Sequence, residues 1–203
     1  APESIFAAET LGAPLEAVRG LAPAGFDYFF NSVKWWDWKS RWLLEQYEAF
    51  RHLAPSIGFP ESHDTERLEG GEAEHRRAYA FAAAFSSGVM MPMGFEYGAR
   101  KRLDVVTTRP SDREEPRFDL TPWITGINRM KAALSALNEE GPQQRLTPGH
   151  DPVVALARRT EDGSDWAFVL VNADQTQSRE IEVDALLAAA GGVNLALEEV
   201  TPG

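Results

Sequence analysis

Four short apolar runs, each ending in polar residues and each followed by a helix-period pattern, set the main constraint on what this chain can fold into. The first is Ile5-Phe6-Ala7-Ala8-Glu9, read as a buried strand. Thr10-Leu11-Gly12 and Pro14 punctuate it, Leu15, Val18 and Leu21 follow at helical spacing, and Gly25 breaks that helix. The second run, residues 26–32, is aromatic and partly alternating, as a strand should be. Beyond the insert Lys34-Trp35-Trp36-Asp37-Trp38-Lys39, the residues Leu43, Tyr47 and Phe50 mark one face of a second helix. The third run spans 56–64. Ala78, Phe81, Ala82 and Phe85 then take the i, i+3, i+4, i+7 positions of a helix beginning at Glu72, with Gly88 expected to stop it. The fourth run, 89–94, leads through Phe95-Glu96-Tyr97-Gly98 and a charged stretch, 100–119, to a helix marked by Ile127, Met130, Leu134 and Leu137. Strands alternating with helices predict a parallel sheet with right-handed crossovers. Four such units are half of an eight-fold β/α barrel.

Gly141-Pro142 marks a boundary. Beyond it the period shortens toward 2. Val154, Leu156 and Arg158 alternate with smaller residues, Asp162-Gly163 is a hairpin signal, and the apolar run 166–171 reads as a central strand. Ile181 and Val183 alternate with Glu180, Glu182 and Asp184, which predicts a half-exposed strand. The expected fold is therefore α/β. The C-terminal half of a (β/α)8 barrel occupies 1–141, and part of an antiparallel β-sandwich occupies 142–203.

Composition excludes several classes of function. The formal net charge of -11 does not suit a nucleic-acid partner, because phosphate contacts need a basic face. No apolar run approaches the roughly 20 residues of a membrane span. There is no cysteine, which removes thiolate chemistry and disulfides and fits a reducing compartment such as the cytoplasm. The chain opens without an initiator Met and without the basic start of a signal peptide, and it is expected to be a piece of a longer protein.

In β/α barrels the chemistry sits at the C-terminal ends of the strands. The polar groups there are Glu9, Lys34 with the tryptophans behind it, Ser62-His63-Asp64, and Glu96. Each also has a plain structural reading. Ser62, Asp64 and Thr65 could cap the next helix. Glu9 and Glu96 could be acids in salt bridges, and Lys34 a solvated lysine. Trp35, Trp36 and Trp38 could stack on a sugar or could be core under a loop. The stretch 100–119 could be a solvated loop or a lid. His63, Asp64 and His75 match no zinc spacing.

With these residues in view, the chain resembles the α-amylase superfamily of glycoside hydrolases and transglycosidases. Phe6-Ala7-Ala8-Glu9 is similar to the fifth-strand motif, whose glutamate is the general acid/base. Ser62-His63-Asp64 is similar to the seventh-strand motif, with Ser62 where Asn is more usual. The run from Met91 through Gly98 resembles the eighth strand and its exit. That exit and the helix entry Leu120-Thr121-Pro122-Trp123 most resemble maltosyltransferases that use maltose 1-phosphate. The resemblance implies a retaining mechanism on an α-glucan or malto-oligosaccharide, with two carboxyl groups about 5 Å apart. It implies Glu9 as acid/base, its pKa raised by its surroundings, and Asp64 as the group that stabilises the transition state. His63, Lys34, Trp35, Trp36 and Glu96 become candidate substrate contacts. No cofactor and no metal ligands are expected, and calcium binding is left open. The nucleophile, an aspartate on the fourth strand, would lie upstream of residue 1, in the missing N-terminal half of the barrel, so this chain alone is expected to be inactive. The competing expectation is a non-catalytic glycan-binding or scaffold protein on a degenerate barrel.

Overall fold

The computed structural model describes residues 4–174, 176–191 and 196–203. Residues 1–3, expected to lead into the first strand, lie outside them. The first part alternates as the sequence predicts: β1 (Ala7–Ala8), α1 (Leu15–Leu21), β2 (Tyr28–Phe30), α2 (Trp42–Phe50), β3 (Ser56–Gly58), α3 (Glu72–Phe85), β4 (Gly88–Val89) and α4 (Thr121–Ala133). The four strands form one parallel sheet in the order β1-β2-β3-β4, with Ala8 opposite Phe29, Phe30 opposite Ile57 and Gly58 opposite Val89. α1, α2 and α3 are the crossovers that parallel neighbours require. β1 is less buried than expected. Ile5, Phe6 and Ala7 are exposed, because β1 is a sheet edge among the described residues.

After the short α5 (Ser135–Asn138) come β5 (Gln143–Arg145), β6 (Val153–Arg159) and β7 (Trp166–Asn172), an antiparallel sheet in the order β5-β6-β7. Asp162-Gly163 does form the β6–β7 turn, with Gly163 at φ 72°. Two expectations fail here. The central strand is β6, buried from Val153 to Arg158, while β7 is an edge among the described residues and leaves Leu170 exposed. The strand expected around Ile181 and Val183 is replaced by α6 (Val183–Ala189), which buries Leu186.

The two sheets share a core. Val33, Trp36, Leu43, Tyr47, Phe81 and Phe85 from the first part pack with Leu137, Val154, Leu156, Val169 and Val171. Gly141 sits where the chain passes from one part to the other. A Cβ there would lie 1.8 Å from the Arg159 carbonyl, so only glycine allows the approach.

The end of α3 also departs from expectation. Gly88 lies in β4, paired opposite Ile57, and does not cap the helix. Side chains from later elements satisfy the free carbonyls instead. Arg158 Nη1 donates to Ala84 O at 3.0 Å and also to Phe85 O. Gln143 Nε2 donates to Phe85 O at 2.8 Å, and Lys131 Nζ to Ser86 O at 2.7 Å. Arg158 is 0% exposed, and its other nitrogens donate to Ala136 O and Glu139 O, both at 2.6 Å. Burial lowers the pKa of Arg158, opposed by Tyr47 and Glu140. No helix among the described residues is long and apolar enough to cross a membrane.

Candidate active site

The parallel register puts the exits of β1 to β4 on one edge of the sheet, and the candidate residues lie along those exits. Glu9 follows β1 directly and is exposed. The next residue, Thr10, is buried, and its Oγ1 donates to Phe30 O at 3.0 Å, tying the β1 exit to β2. Beyond β2, Asn31 Nδ2 donates to Ser86 Oγ at 2.7 Å while its Oδ1 accepts from Val33 N at 3.1 Å. This fixes the single 3-10 turn Val33–Trp35 that presents Lys34 and Trp35.

That turn separates the tryptophans. Trp35 is 49% exposed and meets Phe59, at the β3 exit, edge-on at 5.7 Å. Trp36 is 5% exposed and belongs to the shared core. It stacks on Phe81 at 5.4 Å, has the Arg145 guanidinium over its ring, and donates from Nε1 to Ser40 O. Trp36 is therefore withdrawn as a substrate contact, since no face of its ring is left for a sugar. Trp38, at φ 65°, packs against Phe81 and under Arg77. Lys34 is half-buried, not solvated. Desolvation lowers its pKa, and the nearby Glu61 carboxylate opposes the shift.

The β3 exit carries His63 and Asp64 at the tip of a tight turn. Thr65 N donates to Ser62 O at 3.3 Å, Ser62 N to Thr65 Oγ1 at 3.0 Å, and Asp64 N to Ser62 Oγ at 3.2 Å. These polar side chains build the turn and do not cap a helix. The N-cap of α3 is Gly71, with no side-chain cap. Adjacent residues on a strand would point apart, but in the turn His63 Nε2 lies 3.2 Å from Asp64 Oδ2, and both side chains are exposed. His75 lies elsewhere, in a buried place between Phe95 and Phe118, with Nδ1 2.9 Å from Gly71 O. Desolvation lowers its pKa, partly offset by that hydrogen bond.

Glu96 follows β4 on a 3-10 turn and folds back on its own loop, accepting from Gly94 N at 2.9 Å. Two residues of the site were not singled out in the sequence. Glu61 is 1% exposed and Arg67 has an 8% exposed side chain, and their charged ends meet at 2.6 Å. Glu61 and Arg67 lie in a loop between β3 and α3, where no helix or strand periodicity ties one residue to the other, so the pattern gave no signal for them. A groove of about 830 Å³ runs between α3, α4 and β7, and none of the candidate residues lines it. Among the described residues no group of three or more His, Asp or Glu is placed to hold a metal ion.

No family model matches the chain. A curated relative does. The chain is 32% identical over 198 residues, 89% of its length, to an alpha-1,4-glucan:maltose-1-phosphate maltosyltransferase of Burkholderia pseudomallei (strain K96243). The chain is similar in sequence to one part of this maltosyltransferase. It spans 17% of the length of that relative. A crystal structure of the alpha-amylase from H. orenii superposes with a TM-score of 0.62 at 15% identity, over 83% of this chain and 43% of that one, which shows a shared fold. The resemblance to the α-amylase superfamily carried by the strand-end motifs is thus borne out. Its maltosyltransferase side rests on the sequence match and not on the superposition.

Proposed function

We propose that this chain forms the C-terminal half of a (β/α)8 barrel over 1–141 and part of a β-sandwich over 142–203, within an α-glucan-active retaining transglycosidase or glycosidase. The observation that carries the reading is the common edge. Glu9 directly follows β1 and the His63–Asp64 pair lies on the loop after β3, at the same edge of one parallel sheet, in a chain similar to a maltosyltransferase. Glu9 protonates the leaving oxygen and then takes the proton of the acceptor hydroxyl. Asp64 binds sugar hydroxyls beside the reacting carbon and favours the oxocarbenium-like transition state. His63 donates to a neighbouring hydroxyl. Trp35 offers an exposed aromatic face to a sugar ring, and Lys34, half-buried and facing Glu61, offers a cation to an anionic donor group. The nucleophilic carboxylate comes from a segment outside this chain, and the chain alone turns nothing over. Transfer wins over hydrolysis where the site admits a sugar hydroxyl and excludes water.

The test uses the whole gene product that contains this chain. Transfer from maltose 1-phosphate to malto-oligosaccharides is measured for the wild type, Glu9→Gln and Asp64→Asn. Loss of the general acid/base is expected to cost about 10²–10⁴ in kcat. Both variants acting at wild-type rate would refute catalysis, and would leave glycan binding or scaffolding as the role.

A further inference from the structure

The loop that carries His63 and Asp64 is closed at its base by a buried ion pair. Both oxygens of Glu61 are used. Oε1 takes Arg67 Nη1 at 2.6 Å, and Oε2 takes Leu68 N at 2.7 Å. Arg67 spends its other donors on a different part of the chain. Nη2 donates to Met93 O at 2.8 Å, just beyond β4, and Nε donates to Lys101 O at 3.0 Å, where the charged stretch begins. A Cβ on Gly94 would lie 3.2 Å from Arg67 Nη2, so the backbone closes directly over the guanidinium. Above this base the turn fixes its own backbone through Ser62 and Thr65. Arg102 adds a long contact to Asp64 O at 3.4 Å and an ion pair to Glu66 at 3.7 Å.

We infer that Glu61 and Arg67 are positioning residues for Asp64, and that they lock the β3 exit to the β4 exit. A planar guanidinium is suited to this. Its fork holds one carboxylate and two carbonyls in fixed directions, which a lysine cannot do. The site therefore moves as one piece. A shift in the 93–101 backbone reaches Asp64 through Arg67. The inference rests on the reading of Asp64 as a sugar-binding group. It adds that the placement of Asp64 depends on a pair that touches no substrate.

The experiment measures kcat, KM and unfolding temperature of the whole gene product in four variants: Arg67→Lys, Arg67→Met, the apolar pair Glu61→Leu with Arg67→Met, and Asp64→Asn. Arg67→Met alone leaves a buried charge unpaired and lowers the unfolding temperature. The apolar pair removes both charges and brings stability back toward wild type. Positioning predicts that the apolar pair still loses kcat by about tenfold to a hundredfold, the scale of a small misplacement of a reacting group. Arg67→Lys keeps a charge beside Glu61 but drops the fork. It is expected to stay folded with kcat lowered and KM little changed. Wild-type kcat in Arg67→Lys, or in a stable apolar pair, overturns the inference, while loss of turnover in Asp64→Asn still supports the reading of Asp64. Full turnover in Asp64→Asn overturns that reading and the inference together.

Discussion

Lys131 makes the stability of this protein depend on pH in a definite direction. It projects from α4 into the junction between the two sheets, is 6% exposed, and donates to Ser86 O at 2.7 Å and to Leu137 O. The charged groups acting on it are the Arg158 guanidinium from β6 and the Glu140 carboxylate beyond α5. Desolvation is the largest effect and Arg158 adds to it. Together they outweigh Glu140 and bring the ammonium from its ordinary 10.5 down to about 7. The unfolded chain keeps the proton up to the ordinary value, so between the two it binds more protons than the native state. Stability therefore rises with pH above about 7 and is flat below it on this account. One whole proton gives a slope of about 1.4 kcal/mol per pH unit, at most about 4 kcal/mol over three units. The rise ends above pH 10, the ordinary value of Tyr47. Burial pushes that phenol up, so there the unfolded state loses a proton the native state keeps, and stability falls. The assay is urea unfolding followed by tryptophan fluorescence at a series of pH values, for wild type and Lys131→Met. The variant gives up hydrogen bonds worth about 1–3 kcal/mol to carbonyls left unpaired. It should lose to wild type most at high pH and least near neutrality. Parallel pH profiles for the two proteins would refute the argument.

Three further outcomes follow from where the side chains lie. Trp36→Ala should cost about 3–5 kcal/mol of stability, read from the urea midpoint. Trp35→Ala should leave stability within about 1 kcal/mol and raise KM for the glucan about fivefold; the opposite pattern would reverse the two assignments. Arg158→Met should cost about 3 kcal/mol or more, because Ala84, Phe85, Ala136 and Glu139 all lose a donor to their carbonyls. A cost under about 1 kcal/mol in the same urea titration would mean that water replaces the guanidinium.

The helices α1 to α4 were legible because each buries one face, so its apolar residues recur at helical spacing. The four strands of the parallel sheet were legible in order and number but read too long. The third was expected over 56–64, yet only Ser56–Gly58 pairs in the ladder. Phe59 to Ser62 stay buried by packing and by the Glu61 ion pair, and burial without pairing looks like a strand in the sequence. The misread at Ile181 and Val183 has a different cause. The five alternating residues 180–184 suggest a strand, but the Leu-Leu-Ala-Ala-Ala run beginning at Leu186, whose helix propensity is among the highest available, prevails. The tryptophan insert could not be divided from sequence. Neighbouring residues with identical rings part company only because the turn at Val33–Trp35 ends before Trp36, which returns to extended backbone at ψ 132°.

Strongly shifted ionisable groups often mark a functional site, but here the buried ones lie away from the proposed one. Lys131, Arg158 and Tyr47 are the buried groups with the plainest structural cause for their shifts, and they gather where α3 ends and β4 begins. Glu140 belongs to the same junction. Its Oε1 accepts from Ser56, the first residue of β3, and from Ser87, just before β4. Tyr47 adds a hydrogen bond to Gly141 O at 2.7 Å, at the passage between the two parts. This is the N-terminal end of the parallel strands. Glu9, His63, Asp64 and Glu96 lie at the C-terminal end. In β/α barrels the first end serves stability and the second chemistry. The division accounts for which residues the sequence could show. Groups at the strand exits sit in short motifs with a fixed place in the fold. The buried polar groups that dock the second sheet come from α2, α4, β6 and the segment after α5, and only the folded chain brings them together.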